Sequence, residues 1–171
     1  MTGEEGGPPV NRPAIRVGIG YDSHRLVPGR LLILGGQRIP SDLGLEGHSD
    51  ADAVAHALTD AILGAAASGD IGKLFPDSHP QWKDADSIGL LRTACEMVRG
   101  RGFRPVQADV TVIAGQPRIG PHVPAMIATL SAATGIAASA LSIKGKTNEG
   151  MGFIGRGEGV AVIAVATVEA F

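Results

Sequence analysis

The sequence contains few aromatic residues and a single cysteine. Aromatic side chains make up 4% of the 171 residues, so small aliphatic side chains must fill a good part of the core. Cys95, the single cysteine, excludes an internal disulfide, and its place in an apolar helical pattern predicts a buried, inert thiol. This use of cysteine suits a reducing compartment, and we expect a cytoplasmic protein.

Long apolar runs and clusters of basic residues are also missing. The longest apolar run, residues 160–168, is far shorter than the roughly 20 residues that a membrane helix needs. The start of the chain has neither the apolar stretch of a signal peptide nor the Arg-rich character of a transit peptide. The formal net charge is −2, and no P-loop or dinucleotide-binding glycine motif follows a strand. We therefore expect no membrane or nucleic-acid partner, although local groups can still bind an anionic small molecule.

The residues that are present predict one globular domain. Hydrophobic residues make up 44% of the sequence and charged residues 19%, and the length suits a single core. Residues 1–14, rich in glycine, glutamate and proline, predict a flexible N-terminal tail, and residues 15–171 predict the domain. Periodicity predicts strands at residues 15–22, 106–114 and 160–168, and another that starts at 141–143 and runs into 144–149. It also predicts a hairpin over 31–39, a loop over 43–47, and helices at 49–68, 86–99 and from 121 onward.

This mixed order of elements predicts an α/β (α+β) fold with a mixed or mostly antiparallel sheet covered by helices. The last predicted strand has no charge and little polarity on either face, so we expect it to be covered on both sides. Because aromatic residues are scarce, we also hypothesise that packing between subunits adds stability.

The helix predicted from residue 49 carries an unusual number of ionisable side chains. Ser49 is a suitable N-cap, and Asp52 three residues later would complete a capping-box-like pair. Asp52, His56 and Asp60 recur at i, i+4 and i+8 along one stripe, beside an apolar stripe that should face the core. A buried imidazole needs a partner, which for His56 is either a carboxylate such as Asp60 or a metal ion.

Asp22 and His24 stand at the end of the first predicted strand. They are two residues apart, which places both side chains on one side of extended backbone. With His56 they would form a set of two imidazoles and one carboxylate. Three protein ligands with one open position are typical of a reactive zinc site, whereas structural sites close with four ligands and favour thiolates. Spacing alone does not bring the strand and the helix together, so a metal site and ordinary residues both stay open.

Four further polar segments have both a functional and an ordinary interpretation. Residues 146–149 place a cation, a hydroxyl, an amide and a carboxylate at a strand end, where they hold phosphate oxygens and a magnesium-type cation or form a polar turn. Residues 115–120 form a glycine/proline loop that could present backbone groups to a base or sugar. Residues 70–80 are a binding loop or a surface connection. His48 and Ser49 favour an anion at the predicted helix N-terminus, or they cap that helix.

Five segments of the chain, in this order, carry its strongest resemblance to a known family. They are Arg16-Val17-Gly18-Ile19-Gly20-Tyr21-Asp22-Ser23-His24, Gly47-His48-Ser49-Asp50-Ala51-Asp52, His56-Ala57-Leu58-Thr59-Asp60, Gly69-Asp70-Ile71-Gly72-Lys73-Leu74-Phe75-Pro76-Asp77 and Gly152-Phe153-Ile154-Gly155-Arg156-Gly157-Glu158-Gly159. In these segments, and from about Ile15 to the end of the chain, the sequence closely resembles the 2-C-methyl-D-erythritol 2,4-cyclodiphosphate synthase family of the non-mevalonate isoprenoid pathway.

The resemblance implies a homotrimer around a central β-lined core, with active sites between adjacent subunits. It also implies a metal-dependent phosphorus–oxygen lyase. Such an enzyme cyclises 4-diphosphocytidyl-2-C-methyl-D-erythritol 2-phosphate to 2-C-methyl-D-erythritol 2,4-cyclodiphosphate and releases CMP. The implied ligands of one zinc ion are Asp22, His24 and His56, and Glu149 would hold magnesium or manganese on the substrate diphosphate.

The resemblance further implies which residues act on the substrate. His48 and Thr147 stand at the positions of transition-state stabilisers. The implied substrate-contacting residues are Asp22, Ser23, His24, His48, Ser49, Asp70, Ile71, Gly72, Phe75, Pro76, Asp77, Ser78, His79, Ala114, Gly115, Gln116, Pro117, Arg118, Ile119, Gly120, Lys146, Thr147, Asn148, Glu149, Phe153 and Arg156. The chain departs from the usual family residue at His79, Arg118 and Lys146, none of which is an implied zinc ligand.

Two other classes of function stay open. A zinc-dependent phosphoesterase would use the open metal position to activate water and would release a linear product, but no obvious base for that water is present. A non-catalytic trimeric nucleotide sensor would bind CDP or CMP with the same loops and would not consume substrate.

Overall fold

The structure is a computed structural model that describes residues 14–76, 79–82 and 85–171. The strands are β1 (Ile15–Pro28), β2 (Leu32–Leu34), β3 (Gln37–Ile39), β4 (Leu43–Leu45), β5 (Phe103–Ile113), β6 (Leu141–Lys146) and β7 (Gly159–Ala170). The helices are α1 (Ala53–Ala65), α2 (Ile71–Leu74), α3 (Ser87–Gly100), α4 (Val123–Thr134) and α5 (Gly152–Gly155), with 3₁₀ turns at Pro80–Trp82, Gly120–His122 and Ala138–Ala140. Nearly all of the predicted N-terminal tail lies outside these residues.

The main sheet has five strands in the order β4-β1-β7-β5-β6. The β5–β6 pair is parallel and the other pairs are antiparallel, which confirms the predicted mixed sheet. β2 and β3 form the predicted separate hairpin. Its turn residues Gly35 and Gly36 both have positive φ, 58° and 72°, which two-residue hairpin turns require and glycine adopts without strain.

Three of the predicted boundaries are wrong. Residues 43–47 are not all loop, because Leu43–Leu45 pairs with the end of β1, which itself continues past the predicted residue 22 to Pro28. Three residues are too few to show a strand period in the sequence. Helix α1 begins at Ala53 with Asp52 as its N-cap, not at Ser49, since Ala51 has a left-handed backbone with φ 57° that no helix can contain.

In the part of the chain that the structure describes, helices cover only one face of the sheet. On that face the core is built largely from alanine, valine and leucine, as the low aromatic content predicts. Cys95 lies fully buried in this core, which confirms its predicted burial, and burial raises the pKa of its thiol to about 12. Its lack of reactivity stays a prediction. Among the described residues, no helix is both long and apolar enough to cross a membrane. The cytoplasmic location stays a prediction.

The described residues of the single chain leave the opposite face of the sheet uncovered. The prediction that the last strand is covered on both sides is therefore wrong for one chain by itself. The exposed apolar side chains of this face, which we call the bare sheet face, are Ile15, Val17, Ile19 and Tyr21 of β1 and Ile163 and Val165 of β7. They are paired across the two strands, Ile19 with Val165 and Tyr21 with Ile163, so they form one continuous surface.

Candidate metal centre

Two glycines of β1 allow α1 to lie directly on the sheet. A Cβ atom at Gly18 would come within 2.1 Å of the Ala61 carbonyl oxygen, and one at Gly20 within 1.9 Å of the Ala57 carbonyl oxygen. Real Cβ contacts are essentially never shorter than 3.0 Å, so α1 can pack here only against glycine. This close approach sets the position of His56, the residue before Ala57, relative to β1.

Asp22 and His24 continue the glycine-lined face of β1, because alternate residues of a strand share a face. His56 reaches them from α1. Asp22 Oδ2 lies 2.8 Å from His24 Nε2 and 3.0 Å from His56 Nδ1, and the two imidazole nitrogens are 3.4 Å apart. The structure therefore brings the three residues together, as their predicted role requires, and the alternative partner Asp60 instead accepts a hydrogen bond from the Ile71 N–H.

The remaining ring nitrogens of both histidines are held by other residues. His24 Nδ1–H donates to the Glu46 carbonyl oxygen at 2.6 Å, and His56 Nε2 lies 2.8 Å from Ser87 Oγ and 3.2 Å from Ser49 Oγ. A carbonyl oxygen can only accept, so His24 turns Nε2 towards Asp22. Such contacts orient histidine ligands in metal sites.

The donor set fits a small divalent cation. Ligands at about 2.0–2.1 Å from a tetrahedral zinc ion are roughly 3.3 Å from one another, close to the separations seen here. Burial opposes the charged form of Asp22, but the hydrogen bonds and charges of His24 and His56 outweigh burial and hold the pKa of the carboxyl well below its usual value. The site thus offers an ionised carboxylate and two imidazole nitrogens within 4.8 Å of one another, with side chains 13–24% exposed.

A separate cleft of about 740 Å³ lies where the parallel strands β5 and β6 end. Parallel strands end at the same edge of a sheet, so the segments that follow them meet there. The Ala114 N–H donates to the Lys146 carbonyl oxygen at 2.9 Å and joins the two segments. The predicted residues that line the cleft are Ala114, Gly115, Gln116, Pro117, Arg118, Ile119, Gly120, Lys146, Thr147 and Glu149.

Charged and polar groups of the cleft stand at its open side. Arg118, Lys146, Thr147 and Glu149 are exposed, and the Thr147 hydroxyl donates to Glu149 Oε1 at 2.6 Å. Glu149 has φ 49°, and its N–H donates back to the Thr147 hydroxyl oxygen at 3.3 Å. The predicted glycine/proline loop and the predicted polar turn are therefore two walls of one cleft, with two cations and one carboxylate available for an anionic ligand.

The cleft and the metal centre are apart within one chain. Asp22 pairs with Val162, Val162 with Val112, and Val112 with Gly145. Three strand spacings separate Asp22 from Gly145, which is about 14 Å along the sheet. The predicted site residues of a single chain therefore form separate groups.

A further group follows α1. Asp60 accepts from the Ile71 N–H at 2.7 Å, and Asp70 caps α2 by accepting from the Lys73 N–H at 2.9 Å. Phe75 is buried with its ring edge-on to Trp82, 5.0 Å between centroids. Pro76 and His79 are exposed, Gly72 lies in α2, and Asp77 and Ser78 lie outside the described residues.

The other predicted residues are Ser23, His48, Ser49, Asn148, Phe153 and Arg156. His48 is exposed and adjoins Ser49, but both precede the N-cap of α1, so the prediction that they sit at the helix N-terminus is wrong. Phe153 is 42% exposed and lines a small recess with Ser23 and His24. The guanidinium of Arg156 pairs with Glu158 at 2.6 Å. Asn148 follows Thr147 in the polar turn beside the cleft.

Sequence reasoning missed Glu46, Asp50 and Ser87, which support the two histidines. Glu46 is 22 residues from His24, and Ser87 is 31 residues from His56. Asp50 acts on His56 through Ser87, which is 37 residues away from it, so no local spacing links these residues to the histidines. The one local signal was the pair Asp86-Ser87 before an apolar helical pattern, which marks a helix start and so identifies Asp86 as a cap, but says nothing of His56.

The fold is a mixed sheet with helices on one face, and an Asp/His/His cluster lies where the first strand meets the first long helix. These features define an α/β protein with a candidate divalent-metal centre. The sequence model of the YgbB family matches residues 15–169. Over 154 residues the chain is 56% identical to the 2-C-methyl-D-erythritol 2,4-cyclodiphosphate synthase of Dechloromonas aromatica, covering 90% of this chain and 96% of that protein. The chain therefore belongs to the YgbB family, as the resemblance in its motifs implies.

Solved structures agree with this assignment. A 2C-methyl-D-erythritol-2,4-cyclodiphosphate synthase in its CDP-bound form superposes with a TM-score of 0.83 at 41% identity, over 90% of this chain and 100% of that one. The bifunctional IspDF of Campylobacter jejuni superposes with a TM-score of 0.88 at 40% identity over 92% of this chain, which spans 42% of that longer protein.

Proposed function

We propose that this chain cyclises 4-diphosphocytidyl-2-C-methyl-D-erythritol 2-phosphate to 2-C-methyl-D-erythritol 2,4-cyclodiphosphate with release of CMP, in non-mevalonate isoprenoid biosynthesis. The observation that carries the proposal is the convergence of Asp22, His24 and His56 in a chain whose relatives bear the name of this synthase. An oxygen of the 2-phosphate attacks the β-phosphorus, and the bond from that phosphorus to the CMP oxygen breaks.

The protein needs to supply little acid–base catalysis for this reaction. The attacking phosphate monoester is already anionic at neutral pH, so no serine, cysteine or lysine nucleophile is needed. What the residues must do is fold the substrate so that its two ends meet, and intramolecular orientation of this kind is worth roughly 7–11 kcal/mol. They must also neutralise charge on the phosphoryl oxygens.

The metal ligands in this proposal are Oδ2 of Asp22, Nε2 of His24 and Nδ1 of His56 for zinc, and Glu149 for magnesium or manganese. When bound, these cations act as Lewis acids that withdraw charge from diphosphate oxygens. His48, exposed beside Ser49, and Thr147 hydrogen-bond to the transferring phosphoryl group.

The cleft holds the cytidine end of the substrate. Backbone groups of residues 114–120 face the base and sugar, and Arg118 and Lys146 place positive charge beside the phosphates. Asp70 to Gly72 contribute to the same nucleotide, while Phe75 to His79 with Ser49 contact the methylerythritol end. Phe153 and Arg156 lie at the neighbouring subunit boundary.

We propose that the protein is a homotrimer whose subunits pack their bare sheet faces around a central axis. Support comes from the continuous apolar surface of β1 and β7, which one chain leaves exposed, Ile19 by 70% and Val17 by 65%. Because the metal centre and the cleft of one chain are about 14 Å apart along the sheet, each active site pairs one subunit's metal centre with its neighbour's cleft.

The test of the reaction is phosphorus NMR of the products formed from the linear substrate. A cyclic diphosphate together with CMP is expected from the wild-type protein. The His56→Ala variant should lose zinc and most turnover while its helical circular dichroism persists. A linear product would mean a phosphoesterase, and CDP binding without consumption of substrate would mean a sensor; either result refutes the proposal. Wild-type zinc content in His56→Ala would remove His56 from the ligand set.

Shared sites are tested by mixing two inactive variants in one trimer. His56→Ala lacks the metal centre and Glu149→Ala lacks the cleft carboxylate. Random hybrids from coexpression should recover about a quarter of the intact sites, because a site between two subunits needs one correct variant on each side. A mixture of His56→Ala with Asp22→Ala, both defective in the metal centre, should recover none. Equal activity of the two mixtures would show that each chain builds its own site.

A further inference from the structure

Ser87 connects the metal centre to a carboxylate that is not one of its ligands. It is the first residue of α3 and is fully buried. Its hydroxyl lies in close hydrogen-bond contact with Asp50 Oδ1 and 2.8 Å from Nε2 of His56. Its backbone N–H donates to Asp50 Oδ2 at 3.2 Å, so Asp50 holds Ser87 at two points.

The donors and acceptors of the hydrogen bonds from Asp50 through Ser87 to Nε2 of His56 can be assigned in one way. A carboxylate can only accept, and both oxygens of Asp50 already receive backbone N–H groups, from Asp52 at Oδ1 and from Ser87 at Oδ2. The Ser87 hydroxyl must therefore give its only proton to Asp50. Its oxygen is left with lone pairs that accept from Nε2–H of His56. Nδ1, on the other side of the ring, faces Asp22 Oδ2 at 3.0 Å and is the ring nitrogen that would bind the metal.

The two histidines of the centre are thus oriented by different means. His24 donates to the Glu46 backbone carbonyl, which no substitution of a side chain removes directly. His56 depends on side chains, chiefly Ser87, because the Ser49 hydroxyl is more distant, at 3.2 Å, and also accepts from the Ala51 N–H. The ring of His56 is therefore the more easily perturbed of the two.

We infer that Ser87, held by Asp50, is a positioning residue that keeps His56 protonated at Nε2 and turns Nδ1 to the metal, and so sets the affinity of the centre for zinc. The inference rests on the proposed function, in which Asp22, His24 and His56 hold that ion. It adds to that proposal the residues that prepare one ligand before the metal arrives.

The test compares zinc affinities of metal-stripped proteins by competition with a chromophoric chelator. Ser87→Ala should bind zinc roughly 10–100-fold more weakly than wild type, the usual effect of removing a group that orients a ligand. The matched control is Thr59→Val, which removes another fully buried hydroxyl of the same region, one that donates only to the Ala55 carbonyl oxygen, and should change the affinity less than twofold. Ser87→Thr, which keeps the hydroxyl, should restore binding towards wild type.

A second readout separates orientation from general weakening of the fold. The visible absorption of the cobalt-substituted protein reports the ligand geometry, and Ser87→Ala should alter it while Thr59→Val should not. If Ser87→Ala does not fold, Asp50→Asn is measured in its place. In either orientation of the new amide, its NH₂ group would face a backbone N–H group, that of Asp52 or that of Ser87. This variant should also bind zinc more weakly than wild type.

The outcomes separate this inference from the proposed function. The inference is overturned, and the proposed centre stands, if wild type binds one zinc per chain while the variants differ little from it. That result would be zinc affinities of Ser87→Ala and Asp50→Asn within twofold of wild type, with unchanged cobalt spectra. Wild type that binds no zinc overturns both. Weaker binding in Ser87→Ala and Asp50→Asn, with Thr59→Val unaffected, supports the inference.

Discussion

Substitution of Asp52 should destabilise the protein by an amount that the structure lets us estimate. Asp52 is fully buried and caps α1, and its two oxygens accept different numbers of hydrogen bonds. Oδ1 accepts from the N–H groups of Gly35 at 2.8 Å, Val54 at 3.0 Å and Ala55 at 3.1 Å, whereas Oδ2 accepts only from Gly36 at 2.6 Å. One carboxylate thus joins the start of the helix that carries His56 to the turn of the β2–β3 hairpin.

The two informative variants remove different numbers of these bonds. Asp52→Asn keeps one acceptor oxygen, which will occupy the Oδ1 position and leave the Gly36 N–H facing an NH₂ group, at a cost of about 1–3 kcal/mol. Burial raises the pKa of the Asp52 carboxyl while the bonds from Gly36, Ala55 and Gly35 oppose that rise, so loss of the buried charge offsets part of this cost. Asp52→Ala loses the cap, about 1 kcal/mol, and strands both hairpin N–H groups, about 1–3 kcal/mol each.

The order of stability should therefore be wild type, then Asp52→Asn, then Asp52→Ala. Urea unfolding measures it, in excess chelator and at one fixed protomer concentration, because bound metal and subunit association both shift apparent stability. Asp42→Asn, which makes the same change at an exposed position, should leave the unfolding midpoint unchanged. If Asp52→Asn is as stable as wild type, or if Asp52→Ala is no less stable than Asp52→Asn, the four hydrogen bonds to Asp52 do not stabilise the protein.

Three further predictions concern single side chains. Glu149→Gln should bind substrate with a weaker dependence on Mg²⁺, and an unchanged Mg²⁺ titration of activity would reduce Glu149 to a turn residue. Asp60→Ala frees the Ile71 N–H, so CDP should bind more weakly by calorimetry while zinc content stays at the wild-type level; loss of zinc instead would place Asp60 in the metal centre. Cys95, buried and with its pKa raised to about 12, should react with a thiol reagent at pH 8 only after denaturant is added, and fast labelling of the native protein would contradict its burial.

Elements with a clear period could be predicted from the sequence, and elements fixed by distant partners could not. The helix predicted at residues 86–99 matches α3, and the predicted hairpin matches β2 and β3. β4 was missed because its three residues are extended only through pairing with β1. The start of α1 was misplaced because Ser49 and Asp52 both suit an N-cap, and the choice depends on the four N–H groups that meet at Asp52.

The candidate site divides in the same way. Asp22 and His24 were placed on one face by strand period alone, and His56 on a helix by its own pattern. Their meeting depends on how closely α1 approaches β1, which is a property of the packed fold. Ser87 and Asp50 could not be found from local pattern, because the contact of Ser87 with His56 spans 31 residues and its contact with Asp50 spans 37.

β1 shows how one strand can link the metal centre to assembly. Its inward residues run Gly18, Gly20, Asp22, His24, first two residues that admit the helix and then two that offer metal ligands. Its outward residues Val17, Ile19 and Tyr21 carry large side chains that are exposed in the single chain. Because side chains alternate strictly along a strand, a shift of register by one residue would exchange the two sets. The pairing of β1 with β7 therefore fixes together the direction of Asp22 and His24 and the apolar surface on the opposite side of the strand, and neither can be altered without the other.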